Sequence, residues 1–250
     1  DDVNAILKAT TGKVTATVTT STDAKALNAD LKDAKATDAL KLTVTGEATA
    51  ADLKALDAKT SEVVTATGVT VITGNAADVK TVLAATTINT AANVPVEVTG
   101  TVSAADANTI AKATDGKVTA TVAAGTAASL KAALTDVTAT DALKLKVTGT
   151  ATVADLLALD GKTSIPVDAK SVTAITGTAA EFVIFNALVP SVELSSTVAV
   201  TVTGAITAAA LTDISNFTVT QGDISVNTGT AATTTVNVKQ DATVAAGNAT

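Results

Sequence analysis

The sequence predicts an α/β repeat protein, a solenoid of strand-helix repeats with a one-sided parallel sheet and a C-terminal all-β segment. Three observations carry this. First, ATTGKVTATV (9–18) recurs as ATDGKVTATV (113–122), and ATDALKLTVTGEATAADLKALDAKTS (36–61) as ATDALKLKVTGTATVADLLALDGKTS (139–164), a superrepeat of 103–104 residues. Second, strand-like runs begin near Val14, Leu40, Val69, Val94, Val118, Leu143, Val172, Val198 and Thr218, about 26 residues apart. Third, those runs alternate between apolar residues and Thr or Lys.

The runs set the strands. In KLTVTG, Leu42 and Val44 share one face, and Lys41, Thr43 and Thr45 the other; KVTATV sets Val14, Ala16 and Val18 against Thr15 and Thr17. A sheet covered on both faces reads as continuous apolar runs, so alternation implies helices on one face and water on the other. Strand plus helix at this period is the leucine-rich-repeat kind of α/β solenoid.

The helices follow from their starts. TAAD (49–52), NAAD (75–78), SAAD (103–106), TVAD (152–155) and TAAE (178–181) fit a capping box, in which a hydroxyl or amide accepts from the third helical amide and a carboxylate reaches back. The carboxylate also suits the positive end of the helix dipole. TAAS (126–129) and TAAA (207–210) are weaker versions.

Two regions result: a solenoid over 1–217 and a β-rich segment over 218–250, where the helix signal stops and Gly222, Gly229 and Gly247 mark turns. The chain begins inside a capping box without its strand, which suggests a piece of a longer protein or an end covered by a neighbour.

Composition narrows the chemistry. Ala, Thr and Val number 54, 51 and 32 of 250 residues, and His, Cys, Met, Trp, Tyr and Arg are absent. Without imidazole, thiol, phenol or guanidinium, the usual proton-transfer, soft-metal and phosphate-clamping groups are missing. The net charge of −7 and the near-absence of aromatic residues argue against nucleic acid. No apolar run is long enough for a membrane span, and no cofactor is expected.

The repeated carboxylates Asp52, Asp78, Asp106, Asp155 and Glu181 read as helix caps rather than acid-base groups. Asp38 and Asp141, in ATDALK, read as turn residues rather than a hard-metal site, since Ca²⁺ needs six to eight oxygens and no DxDxDG loop occurs. GKT (161–163) resembles the end of a phosphate-binding loop, but Leu156 stands where its first glycine is required. No enzyme is expected.

Two surfaces remain. The outward strand positions Thr15, Thr17, Thr43, Thr45, Thr119, Thr121, Thr148, Thr201, Thr203, Thr218 and Thr220 form Thr rows, interrupted by Lys41, Lys144, Lys146 and Glu97. Thr suits a half-exposed strand whether or not anything binds there. The helix EFVIFNAL (181–188) replaces the amphipathic DVKTVLAA (78–85), so Phe182, Val183, Ile184 and Phe185 are candidate assembly contacts, with Val183 and Ile184 expected against the C-terminal segment or another subunit.

ATAADLKALDAKTS followed by VTVITGNAADV, and its copy ATVADLLALDGKTS followed by VTAITGTAAEF, resemble repeats of large Ala/Thr/Val-rich secreted and cell-surface proteins of bacteria, notably cyanobacteria. The resemblance implies a surface-layer-like, adhesin-like or filament-forming protein located outside the cell. Calcium-binding nonapeptides frequent in such proteins are absent here. The expected partners are copies of the chain itself, head to tail, or neighbouring modules of the same long chain. The expected function is that of a structural subunit of a fibre, sheath or surface layer. The alternative is an adhesin or stalk module that uses the Thr face for glycan, ice or another surface.

Overall fold

The computed structural model describes residues 2–188, 191–195, 197–203, 224–227 and 233–236, with side chains for 2–185, 191–195 and 197–203. The chain is an α/β protein of repeated strand-helix units forming parallel sheets, and it divides into two compact units, Asp1–Thr121 and Val122–Thr250.

The first unit runs α1 (Asp2–Ala9), β1 (Thr15–Thr17), α2 (Ala24–Asp30), β2 (Ala39–Lys41), β3 (Thr43–Thr49), α3 (Ala50–Asp57), β4 (Val64–Gly74), α4 (Ala76–Ala84), β5 (Ile88–Thr90), β6 (Val96–Val102), α5 (Ala104–Ala113) and β7 (Val118–Val122). β1 pairs in parallel with β2, Thr15 opposite Ala39. β4 is flanked in parallel by β3 on one edge and by β5 and then β6 on the other, with Ile72 opposite Val96. β7 follows β6, and the Val96 amide donates to the Lys117 carbonyl at 2.9 Å.

The second unit runs α6 (Ala127–Ala133), β8 (Ala142–Lys144), β9 (Lys146–Thr152), α7 (Val153–Asp160), β10 (Val167–Thr178), α8 (Ala179–Leu188), β11 (Val192–Leu194), β12 (Ala199–Thr203), β13 (Ile224–Asn227) and β14 (Thr233–Val236). β10 takes β9 on one edge and β11 and β12 on the other, all parallel. β13 continues in parallel from β12, and β14 turns antiparallel to β13.

The strands expected near Val69 and Val172 start earlier, at Val64 and Val167. Each is one long strand that carries an extra residue at each of two register shifts against its partner. In β3 and β9 the register shifts around Gly46 and Gly149, whose φ angles of 78° and 79° lie in the left-handed region that glycine tolerates.

One rule builds the core. Counting from each cap, the fourth residue and the seventh or eighth face the sheet, because those spacings return to one side of a helix. They are Leu27 and Leu31, Leu53 and Leu56, Val79 and Val82, Ala107 and Ile110, Leu130 and Leu134, and Leu156 and Leu159, all buried. Strand positions alternate against them, as in the buried Val96 and Val98 and the exposed Glu97 and Thr99 of β6. Each Leu so buried contributes about 1.5–3 kcal/mol.

Candidate assembly surfaces

The repeated carboxylates sit at helix starts. The side chains of Thr49, Asn75, Ser103 and Thr152 accept from the amides of Asp52, Asp78, Asp106 and Asp155. At Thr178 the box closes both ways: its hydroxyl accepts from the Glu181 amide at 3.3 Å, and the Glu181 carboxylate takes the Thr178 amide at 2.7 Å. α2 is capped as well, by Asp23, which accepts from Ala26 at 2.7 Å. That start escapes the box pattern because its third helical residue is Ala26, not a carboxylate.

The same aspartates also receive a side chain from the preceding helix. Asn28 donates to the Asp52 carbonyl at 2.9 Å, Lys54 pairs with Asp78, Lys80 with Asp106, and Lys131 with Asp155 at 2.7 Å. The donor is the fifth residue after its own cap and the acceptor is the third after the next. One repeat period therefore brings them side by side. The ammonium groups of Lys54, Lys80 and Lys131 hold the carboxyls of Asp78, Asp106 and Asp155 below the usual range, helped by the cap side chains. In the second unit a strand-to-strand pair, Lys170 with Glu193 at 2.6 Å, raises the lysine. The ladder changes character at Leu157, which occupies the lysine position of α7, and at Val183 in α8.

Asp38 and Asp141 are buried. Asp38 accepts the Val14 amide at 2.8 Å through Oδ1 and the Lys35 amide at 2.9 Å through Oδ2, and Asp141 accepts the Thr138 amide at 2.9 Å. Their carbonyls take the amides of Ser61 and Ser164, each at 2.7 Å. The turn role expected of them is thus joined to a bond across repeats.

The AKT and GKT stretches carry buried hydroxyls. Thr60 accepts the Leu40 amide and donates to the Leu40 carbonyl at 2.9 and 2.8 Å; Thr163 does the same to Leu143 at 3.0 and 2.9 Å. Thr114 reaches the Val94 carbonyl at 2.7 Å. All three span 20 residues.

The Thr positions divide by exposure. Thr15, Thr17, Thr43, Thr45 and Thr121 are exposed, whereas Thr119, Thr148, Thr201 and Thr203 are half-buried; Thr218 and Thr220 lie outside the described residues. In the first unit Thr43 stands opposite Thr65 and Thr49 opposite Thr73, but the latter row meets Glu97, and Thr17 faces Lys41. In the second unit Thr152, Thr176 and Thr201 are in register across three strands.

The assembly contacts expected on α8 need correction. Phe182 and Phe185 are fully buried, because the helical period turns them onto the sheet with the other core positions. Val183 and Ile184 are 38% and 56% exposed. Apart from the backbones of β13 and β14, the segment 218–250 expected to cover them lies outside the described residues, as does TAAA (207–210).

Among the described residues no cluster of three carboxylates is placed to hold a metal, and no helix is long and apolar enough to cross a membrane. An open depression of about 370 Å³ lies beside Asp160, Thr163, Ser164, Ile165, Pro166 and Ser191. The Thr163 hydroxyl within it is already engaged by Leu143.

The chain matches no family model, no curated protein and no solved structure.

Its own repeats are therefore the comparison available, and they expose what reading each motif alone missed. The cross-helix ladder has a sequence signal: Asp52 and Lys54, like Asp78 and Lys80, stand two apart at the same place in successive helices. The buried Thr has one as well, in KTS, KATD and KTS at 59–61, 112–115 and 162–164.

Proposed function

We propose that the chain is a non-enzymatic structural subunit or module of an extracellular fibre, sheath or surface layer. Its repeats continue as a one-sided α/β solenoid, leucine-rich-repeat-like in plan, that assembles by head-to-tail contact of its ends. The observation that carries this reading is where the recurring polar groups go. Asp38, Thr60, Asp78, Asp106, Thr114, Asp155 and Thr163 each bond to a neighbouring repeat. Side chains that recur in order to hold one repeat to the next suit a protein whose product is a length of stiff material. A heterologous contact of that kind extends into open filaments when its rotation does not close. The segment 218–250 is the candidate connector, by strand addition to a neighbour.

Negative-stain electron microscopy of the purified chain at micromolar concentration tests this. Ordered filaments or sheets are the expected result. Isolated particles at every concentration would overturn head-to-tail assembly.

A second reading, an adhesin or stalk module, is favoured by the in-register hydroxyls Thr152, Thr176 and Thr201. Lys in place of Thr43, Thr45, Thr148 and Thr203 separates the two. Lost surface binding with intact assembly supports the adhesin, and unchanged surface binding removes it.

A further inference from the structure

The unit 36–61 and its copy 139–164 differ at five of 26 positions, yet each follows a different helix. α2 stands before the first and α6 before the second, and AKALNAD and AASLKAA share only three of seven residues.

The two joints are nonetheless made by the same bonds. The Lys35 amide donates to Asp38 Oδ2 and the Thr138 amide to Asp141 Oδ2, each at 2.9 Å. The Thr45 amide donates to the Thr22 carbonyl and the Thr148 amide to the Gly125 carbonyl, again each at 2.9 Å. Between helices, Asp52 receives Asn28 on its carbonyl at 2.9 Å, and Asp155 receives Lys131 on its carboxylate at 2.7 Å. Backbone bonds do not discriminate among side chains, and an aspartate serves a neutral donor or a charged one. The core leucines match as well: Leu27 and Leu31 of one helix, Leu130 and Leu134 of the other, are buried.

The five differences lie away from these joints. Lys54 pairs forward with Asp78, and Leu157 holds its place in the copy. Ala50 and Val153 also meet the following strand: a Cβ on Gly74 would come within 3.1 Å of Ala50, and one on Gly177 within 2.8 Å of Val153. Thr43 and Lys146, Glu47 and Thr150, and Ala58 and Gly161 are exposed. Variation is thus confined to water and to the repeat ahead, while the side toward the repeat behind is kept.

We infer that this kept side is an interchangeable docking surface: residues 36–61 accept the α6 segment 123–134 in place of 19–31, and residues 139–164 accept 19–31 in place of 123–134. The superrepeat is then an insertable module, and the chain can gain or lose 103 residues at this joint with no new kind of contact. The inference rests on the continuing solenoid proposed above and specifies what its repeats can join.

The full chain with segments 19–31 and 123–134 exchanged tests this. Both segments bring the same leucines and the same backbone bonds, so the melting temperature is expected within about 4 °C of wild type. A fall beyond about 10 °C overturns the coupling. A second chain, residues 1–138 continued by 36–250, carries one superrepeat more. Its far-UV circular dichroism per residue is expected to equal that of the wild type. A lower signal per residue means an unfolded insert and also overturns the coupling. Neither readout depends on assembly. Wild-type filaments beside an unfolded insert would remove the coupling and leave the fibre reading, and a folded insert in a chain that never assembles would do the reverse.

Discussion

Asp38 accepts the backbone amide of Val14 across 24 residues, at 2.8 Å. Its other oxygen holds Lys35, and its carbonyl holds Ser61, so one residue ties three successive passes of the chain. Asp38→Ala leaves the Val14 amide without this acceptor in a buried setting and is expected to cost about 1–3 kcal/mol. Urea unfolding checks it: the midpoint falls with the slope unchanged.

Thr60 and Thr163 close both the amide and the carbonyl of a residue 20 positions earlier. Thr60→Val keeps the shape and removes both bonds, so a loss of about 1–3 kcal/mol is expected. Thr10→Val, at an exposed position, is expected to stay within about 0.5 kcal/mol. Equal losses at the two sites in thermal melts would contradict the assignment of the Thr60 hydroxyl.

Gly116→Ala forces a methyl against backbone carbonyls that cannot swing aside. An overpacking cost of about 1–3 kcal/mol or more is expected, read as a lower melting temperature.

Acid acts on the helix ladder. Asp78 and Asp106 have carboxyls held low by Lys54 and Lys80, so the stability they add is present above the unfolded carboxylate pKa and is lost as pH falls through their own lower values. A Lys54→Ala, Lys80→Ala double variant is therefore expected to melt slightly below wild type at pH 7. The gap closes in the acid range below about pH 4. Both pairs are substantially exposed, so molar salt also narrows it. A gap that persists through acid would locate the lysines' effect elsewhere.

Legibility in the sequence followed the range of the interaction. Helix starts at Thr49, Asn75, Ser103 and Thr152 were readable because a cap and its carboxylate stand three residues apart. Alternating strands were readable for the same local reason. Phe182 and Phe185 were misplaced because hydrophobicity was weighed around the whole helix, although counting four and seven from Thr178 puts both on the sheet. The Lys54–Asp78 pair and the Val14–Asp38 bond join residues 24 apart, and only superposing successive repeats brings them into view. The early start of β4 at Val64 is hidden because extra residues in β4 itself break its alternation while its pairing with β3 continues.

Gly46 and Gly100 adopt φ angles of 78° and 76°, yet a Cβ on either would meet nothing within 4 Å. Size is not what excludes other residues there; handedness is. A left-handed backbone is strained for an L residue and relaxed for its mirror image. D-alanine placed at Gly46 by chemical ligation would fit without displacing a neighbour and would narrow the unfolded ensemble, stabilising the chain by about 0.4–1 kcal/mol. L-alanine at the same position would destabilise it. The left-handed strand positions of this protein are thus written in chirality, and a synthetic chain of mixed hand would keep them.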